Sequence, residues 1–132
     1  MPGRGDERGS GVLSTVLGAG AFLALLLFAV QVLAGLYFRS VVTAATYDAA
    51  RAVAGADAVH EGVARADAER NARAQLGEYG RRVAFDWGGS TADVVVVRAT
   101  APRPTFLPEA LTGPAGLGDV ERTVEIRREA LR

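Results

Sequence analysis

The chain has 132 residues, and its 15 basic residues, all of them arginine, balance 15 acidic residues to a formal net charge of zero. With no net charge, the protein has no overall positive electrostatic potential that would attract nucleic acid. The absence of cysteine excludes disulfides and thiolate metal sites. The length is sufficient for one small domain and one further structural element.

An uncharged apolar run, Gly9 to Phe38, dominates the first third of the chain. As a helix this run would be about 45 Å long, whereas a hydrocarbon core of about 30 Å needs about 20 residues. The sequence therefore predicts a transmembrane helix over residues 10–38, preceded by a tail of residues 1–9. The aromatic pair and arginine at Tyr37–Arg39 are typical of an anchor at the membrane interface.

A cleaved signal peptide is the alternative to a retained anchor. Small residues at Ala34 and Gly35 fit a cut that would release a domain starting at Gly35. The apolar part of a signal peptide has about 7–15 residues, about half the length of this run, which favours the retained anchor. Arg4 and Arg8 in the short tail favour a cytoplasmic N-terminus, with the rest of the chain outside the cytoplasm.

Small and polar residues recur at spacings of four within the run and are predicted to mark one face of the helix. Small residues at this spacing let two helices approach closely in lipid, and an amide forms hydrogen bonds across such helices. The alternative is that they have no role, since glycine is frequent in membrane helices. The predicted packing residues are Ser14, Gly18, Gly20, Ala24, Gln31 and Gly35.

The helical pattern continues beyond the membrane run as an amphipathic region over residues 39–77. Two glycines, each costing a helix about 1 kcal/mol relative to alanine, predict a break within residues 55–62. A second helix is predicted over residues 61–76, with Gly77 as its C-cap. We expect the apolar stripe to pack on a neighbouring copy before the break and on the chain's own sheet after it. The stripe comprises Val41, Val42, Ala45, Ala49, Ala52, Val53, Ala56, Val59 and Val63.

In residues 78–132 the apolar residues recur at every second position, as in a strand, and no longer at helical spacing. These residues are predicted to form a small antiparallel sheet. Two segments, residues 82–87 and 92–100, flank a glycine turn and predict a β-hairpin. A third segment, residues 119–130, alternates apolar and charged residues, as expected of an edge strand. The loop of residues 101–118, rich in proline and glycine, is expected to dock on its own domain. The predicted fold class is α+β with three strands.

The sequence contains no motif that predicts catalysis. His60, the single histidine, is expected to be a solvated surface residue, and without cysteine or lysine there is no thiol nucleophile and no P-loop. Acidic residues do not repeat at metal-ligand spacing. We therefore expect no enzyme activity, no cofactor, no metal and, without a basic patch that contains aromatic residues, no nucleic-acid partner.

Three segments carry a family resemblance: the charged tail ending in RGS before the apolar helix, SVVTAATYDAARAVAG after it, and ERTVEIRREALR near the end. Their order resembles the TadE-like family of pilin-like or pseudopilin-like accessory proteins in bacterial tight-adherence pilus systems. The resemblance implies a pilin-like fold in a single-pass protein of the bacterial cytoplasmic membrane. It also implies a role in assembling a pilus or related secretion apparatus through helix–helix contacts. The implied partners are the lipid bilayer and other pilin-like subunits or assembly-platform proteins, in homo- or hetero-oligomers.

Processing by a prepilin peptidase is a further implication of the resemblance, with a cut between Gly9 and Ser10. The family pattern then expects a glutamate at the position occupied here by Ser14, whose hydroxyl cannot neutralise a neighbour's amino terminus in lipid. This departure implies an accessory subunit rather than a bulk fibre subunit. Two alternatives stay open: an anchored envelope protein whose extracytoplasmic β-domain binds an unrelated partner, and a secreted domain released after Ala34.

Overall fold

The computed structural model describes residues 7–104 and 118–128, with side chains described from residue 11 onward. The chain divides into two compact units, Met1–Ala34 and Gly35–Arg132, and we call the second unit the head. The elements are a long N-terminal apolar helix, a second helix and a three-stranded antiparallel sheet. This architecture confirms the predicted α+β class.

The long helix, α1, comprises Glu7–Ala54. It therefore begins before the predicted boundary at Ser10 and runs past Phe38 without interruption, as the helical pattern predicted. No proline lies within it, so every helical residue has an N–H to donate. The helix ends at Ala54, and the N–H of the following Gly55 still donates to the carbonyl of Arg51 at 3.1 Å.

The predicted break after α1 is confirmed. A turn and a short 3₁₀ helix, Ala58–His60, separate α1 from the second helix, α2, which comprises Glu61–Gln75. Gly77 follows with a φ of +60°, a left-handed conformation that favours glycine and confirms its predicted capping role. A second 3₁₀ helix, Gly77–Arg82, was not predicted and leads into the sheet.

The sheet comprises β1 (Ala84–Asp86), β2 (Val94–Ala101) and β3 (Val120–Arg127), in that spatial order. Both pairings are antiparallel, and Phe85 in β1 lies opposite Ala99 in β2. The predicted hairpin and the predicted position of the third strand at the edge are therefore confirmed.

β1 is shorter than predicted because a loop serine replaces it beside the first half of β2. The Oγ of Ser90 accepts the Val96 N–H at 3.0 Å and lies 3.0 Å from the Val96 carbonyl oxygen. The turn itself starts where the Gly88 N–H donates to Oδ1 of Asp86 at 2.9 Å. Gly89 follows with a φ of +87°, which explains the glycine at that position.

The core of the head combines one face of α1 with residues of α2 and the sheet. Val42 and Val53 in α1 are fully buried within this unit. The prediction that the stripe before the break packs on a neighbouring copy is therefore wrong, because this stripe packs in the chain's own core. The core residues are Phe38, Val42, Ala45, Ala49, Val53, Ala68, Ala72, Leu76, Val83, Val95, Ala99, Ala101 and Val120.

The predicted stripe is also wrong beyond the break, where Val59 and Val63 are 89% and 64% exposed. The chain turns at Gly55, so the helical phase counted along α1 does not extend into α2. The buried residues of α2 are instead Ala68 and Ala72.

The three residues of the predicted interfacial anchor, Tyr37–Arg39, lie in two different environments, the exposed surface and the core of the head. Tyr37 is 74% exposed and Arg39 is also exposed, which leaves both available to an interface. Phe38 is only 6% exposed, and its ring packs edge-on against Tyr79 with centroids 5.3 Å apart. Phe38 therefore belongs to the core of the head, and its predicted role as an anchor is wrong.

The predicted loop of residues 101–118 begins within β2, which includes Ala101. Residues 105–117 lie outside the described residues, so docking of this loop on its own domain stays a prediction. The last two residues of the predicted third strand, 129 and 130, also lie outside them.

Candidate membrane and partner interface

Within the described residues, α1 is the one helix that is long and apolar enough to cross a membrane. The core helix of a soluble protein would be mostly buried, whereas the most apolar window of α1 is 6% buried. Leu17, Leu25 and Leu33 are each about two-thirds exposed (66%, 68% and 66%). Contiguous exposed apolar surface of this kind marks contact with a membrane or with another protein.

The six predicted packing residues do not share one face of α1. At about 100° per residue, four of them fall within about 60° of one another, whereas Ser14 and Gly18 lie about 110° away from that group. The four are Gly20, Ala24, Gln31 and Gly35. A Cβ added at Gly18 or Gly20 would meet no atom within 4 Å, so both faces offer open, small-residue surface.

Gln31 differs from the other predicted packing residues. The residue has an interaction partner within the chain and is only 5% exposed. Its amide is therefore not open to a second helix. Gly35 is half-buried, which leaves Gly20 and Ala24 as the exposed members of this face.

The predicted processing site lies inside the helix. Because α1 begins at Glu7, the Gly9–Ser10 peptide bond belongs to its first turn. A peptidase that binds an extended substrate would first unwind this turn. Helix termini lack part of their hydrogen bonds and fray readily, so this unwinding costs little. Ser14, at the position where the family pattern expects glutamate, is exposed on the helix.

A ladder of polar and aromatic contacts joins α2 to β1 in the head. Nε1 of Trp87 donates to Oε1 of Glu69 at 2.7 Å, and Oε2 of Glu69 pairs with Arg73 at 3.1 Å. The Arg73 guanidinium lies 5.4 Å from the Phe85 ring centre, and that of Arg65 lies 5.7 Å from the Trp87 ring centre. Cation–π contacts at these distances add to the ion pair and fix α2 over the strand.

The ladder extends to β3 through Glu61, the first residue of α2. Glu61 pairs with Arg65, and its Oε2 lies 2.8 Å from Nη2 of Arg128, whose side chain is 14% exposed. The Arg128 N–H in turn donates to the Asp93 carbonyl at 2.8 Å. The pKa of Glu61 is lowered, mainly by its hydrogen bond with Arg128. Partial burial of the carboxylate opposes this effect, and the positive charges of Arg65 and Arg128 add to the lowering. Glu61 is therefore ionised at neutral pH and joins two elements.

The sequence predicted only part of this ladder. Opposite charges four residues apart on a helix favour pairing, and the Glu61–Arg65 and Glu69–Arg73 pairs have this spacing. No sequence signal pairs Arg128 or Trp87 with α2, because these contacts depend on the tertiary fold.

An open cleft of about 700 Å³ lies in the head where the end of α1 meets the start of β2 and the end of β3. Arg51, Asp57, Asp93 and Arg127 contribute charged side chains to its lining. Within the described part of the chain, no ion pair engages Arg51 or Arg127. The cleft therefore suits a polar partner surface better than an apolar ligand.

The described residues contain no group of three or more histidine, cysteine, aspartate or glutamate side chains that could hold a metal ion. His60 is exposed, as predicted for a solvated surface residue. Comparisons with protein-family models, with curated proteins and with solved structures find no match for this chain. The TadE-like assignment therefore stays a prediction from the sequence.

Proposed function

We propose that the chain is a single-pass protein of the bacterial cytoplasmic membrane, with α1 as its anchor and the head outside the cytoplasm. Its proposed role is that of a TadE-like, pilin-like accessory subunit that assembles a pilus or related secretion apparatus through helix–helix contacts. One observation carries the proposal: α1 combines an exposed apolar run with a face that forms the core of the head.

The energetics of α1 support the anchor. Fourteen valine, leucine and phenylalanine side chains between Val12 and Leu36 are exposed. Transfer of each partly exposed side chain from water to lipid is favourable by about 1 kcal/mol, so together they favour insertion by on the order of 10 kcal/mol. Arg4 and Arg8 support a cytoplasmic N-terminus.

The Gly20–Ala24 face supports a contact with a second helix. Lipid tails are as apolar as leucine, so helices associate in a membrane mainly where small residues let their backbones approach. Both residues are exposed, and an added Cβ at Gly20 would meet no atom within 4 Å. The partners that fit are single-pass helices with their own small-residue faces.

Crosslinking in native membranes tests this function. A photo-crosslinker at Leu27, about 20° from Gly20 around the helix, should capture other single-pass subunits, which mass spectrometry identifies. Gly20→Leu should reduce the captured product about fivefold, equivalent to about 1 kcal/mol of lost association. The control Ala19→Leu adds similar volume about 100° away and should leave capture unchanged. Equal capture from both variants would contradict the proposed contact.

Intact mass separates the processing alternatives. A membrane-extracted chain that starts at Ser10 would support pilin-like processing. A full-length chain would support an unprocessed anchor, and a start at Gly35 would exclude the anchor and support a secreted domain.

The cleft in the head favours one alternative function, an anchored envelope protein that recognises an unrelated partner. Its Arg51 and Arg127, which form no ion pair among the described residues, are available for an acidic partner surface. If this alternative holds, a photo-crosslinker at Ala92 in the cleft lining should capture the partner, and Arg51→Glu with Arg127→Glu should abolish that capture, whereas Gly20→Leu should not change it. The opposite pattern would support assembly through the helix.

A further inference from the structure

The 3₁₀ helix Gly77–Arg82 contacts α1 beside the last exposed apolar residues of that helix. The ring of Tyr79 packs edge-on against Phe38, with centroids 5.3 Å apart. Immediately before Phe38, Leu36 and Tyr37 are still 57% and 74% exposed. Because helical side chains tilt toward the N-terminus, the Phe38 ring lies beside the preceding turn of α1 and brings the 3₁₀ helix to the same level.

This end of the head carries arginines without acidic partners. We call Arg39 and the 3₁₀ helix Gly77–Arg82 the base of the head. Arg39, Arg81 and Arg82 are exposed, and within the described part of the chain no ion pair engages them. Glu78 lines a cleft of about 370 Å³ together with Tyr79, Arg81 and Arg82. The base has three arginines and one glutamate, so it carries two positive charges in excess.

Arginines elsewhere in the head are matched by acidic groups to a greater extent. Arg51 and Arg127 share their cleft with Asp57 and Asp93. Five others form ion pairs with glutamate or aspartate, namely Arg65, Arg70, Arg73, Arg98 and Arg128. The base therefore differs in charge from the end of the head that holds the first cleft.

The backbone that presents Arg81 and Arg82 is held in place. The preceding residue, Gly80, is buried so close to α2 that an added Cβ would lie 2.1 Å from the carbonyl oxygen of Arg73. The Val83 N–H donates to the Gly80 carbonyl at 3.3 Å on the other side. A cationic surface on a fixed backbone loses little conformational entropy when it binds a partner.

The position of the base relative to a bilayer follows from Arg39. An unpaired guanidinium is costly in hydrocarbon, so α1 as an anchor inserts no further than this residue. Leu36, exposed and apolar, lies one turn earlier, which places the passage from hydrocarbon to headgroups near this turn. A turn measures about 5 Å, and the Debye length at physiological salt is about 8 Å, so Arg81 and Arg82 lie within electrostatic reach of headgroup phosphates.

We propose that the base of the head binds the phosphates of anionic lipids in the leaflet on the head side of the membrane. Arg39, Arg81 and Arg82 supply the positive charge that attracts the phosphates. Tyr37 and Tyr79 lie at the level of the headgroups, where tyrosine is enriched in membrane proteins. This inference rests on the proposed membrane anchor and adds the class of lipid that the head recognises.

Spin-labelled lipids in vesicles that contain the full chain test the proposal. Electron paramagnetic resonance separates lipid that is motionally restricted by the protein from bulk lipid, so that labelled phosphatidylglycerol and labelled phosphatidylcholine are compared directly. Arg81→Gln with Arg82→Gln removes two charges, and the matched control, Arg81→Lys with Arg82→Lys, keeps them. The fluorescence of Trp87, the only tryptophan, confirms that the head is folded in each variant.

The wild type should prefer phosphatidylglycerol about fivefold, equivalent to about 1 kcal/mol. The glutamine variant should reduce this preference below about twofold, whereas the lysine variant should retain it. Salt of about 1 M, where the Debye length is about 3 Å, should abolish the preference. An equal preference in the wild type and the glutamine variant would overturn the proposal, and so would loss of the preference in the lysine variant. Absence of any restricted lipid would contradict the membrane anchor itself, and this inference with it.

Discussion

The close approach of Gly80 to the backbone of Arg73 in the head makes a sharp prediction. A Cβ built on Gly80 would lie 2.1 Å from the carbonyl oxygen of Arg73 and 2.8 Å from its Cα. Ordinary contact begins at 3.4 Å, so Gly80→Ala requires a displacement of about 1.3 Å (3.4 − 2.1). Arg73 lies in α2, whose hydrogen bonds resist local movement, so the 3₁₀ helix Gly77–Arg82 must move away instead.

This movement separates packed surfaces, because Leu76 and Val83 on either side of the 3₁₀ helix are both core residues. Overpacking of this kind costs about 3 kcal/mol. For a domain of 60–100 residues, each 1 kcal/mol lowers Tm by about 4–8 °C, so the expected loss is about 12–24 °C. The matched control is Gly62→Ala in α2, where an added Cβ meets nothing within 4 Å. That variant should gain about 0.5 kcal/mol of stability.

The assay is thermal unfolding of the full chain in detergent, followed by fluorescence. Trp87 is the only tryptophan, and its hydrogen bond to Glu69 makes it a reporter of the head. Gly80→Ala should melt far below the wild type and Gly62→Ala slightly above it. A melting temperature for Gly80→Ala within a few degrees of wild type would refute the close packing of the 3₁₀ helix on α2.

Three further predictions concern the head. The lowered pKa of Glu61 means that its pairing with Arg128 stabilises the fold above the unfolded-state pKa and is lost as pH falls through the folded-state pKa. Glu61→Gln should therefore show a smaller fall in Tm between neutral pH and pH of about 3 than wild type, and an equal fall would contradict the pairing. Trp87→Phe removes the donor to Glu69 and should cost about 1 kcal/mol in urea unfolding followed by circular dichroism, whereas an unchanged midpoint would show the ladder to be dispensable. Val53→Ala leaves a cavity at a fully buried position and should cost about 2 kcal/mol by the same measurement; no loss would place Val53 outside the core.

Local sequence signals predicted the elements of the head better than their packing. Gly77 was identified as a cap because a helical pattern ended there, and its φ of +60° is the conformation that glycine favours. Residues 82–87 likewise predicted a strand, and their alternate residues Val83, Phe85 and Trp87, in and beside β1, all contact the core. Both signals depend only on neighbouring residues.

The errors in prediction come from two physical causes. An apolar stripe shows which face of a helix avoids water but not what covers it, so Val42 was assigned to a neighbouring copy although it lies in the chain's own core. Phe38 was predicted to be part of an interfacial anchor, because an aromatic residue before an arginine does not show whether lipid or protein covers its ring. The 100° spacing of side chains around a helix cannot be counted across a turn into the next helix, which explains why Val59 and Val63 are exposed.

The sequence was sufficient to locate the candidate membrane helix, but it did not show correctly which residues share a face of that helix. Composition alone identified the run, and the described helix confirms that it is continuous. The assignment of six packing residues to one face failed on helical geometry, since Ser14 and Gly18 lie about 110° from the rest. The burial of Gln31, which is 5% exposed, could not be foreseen from the local helical pattern.

The membrane anchor is the central claim, and alkaline carbonate extraction of membranes from expressing cells tests it most directly. Carbonate releases peripheral proteins and leaves proteins with a spanning helix in the pellet. We predict that the chain stays in the pellet, with an intact mass that includes the whole segment Gly11–Tyr37. A chain recovered in the supernatant, or one whose mass begins at Gly35, would contradict the anchor and the function proposed from it.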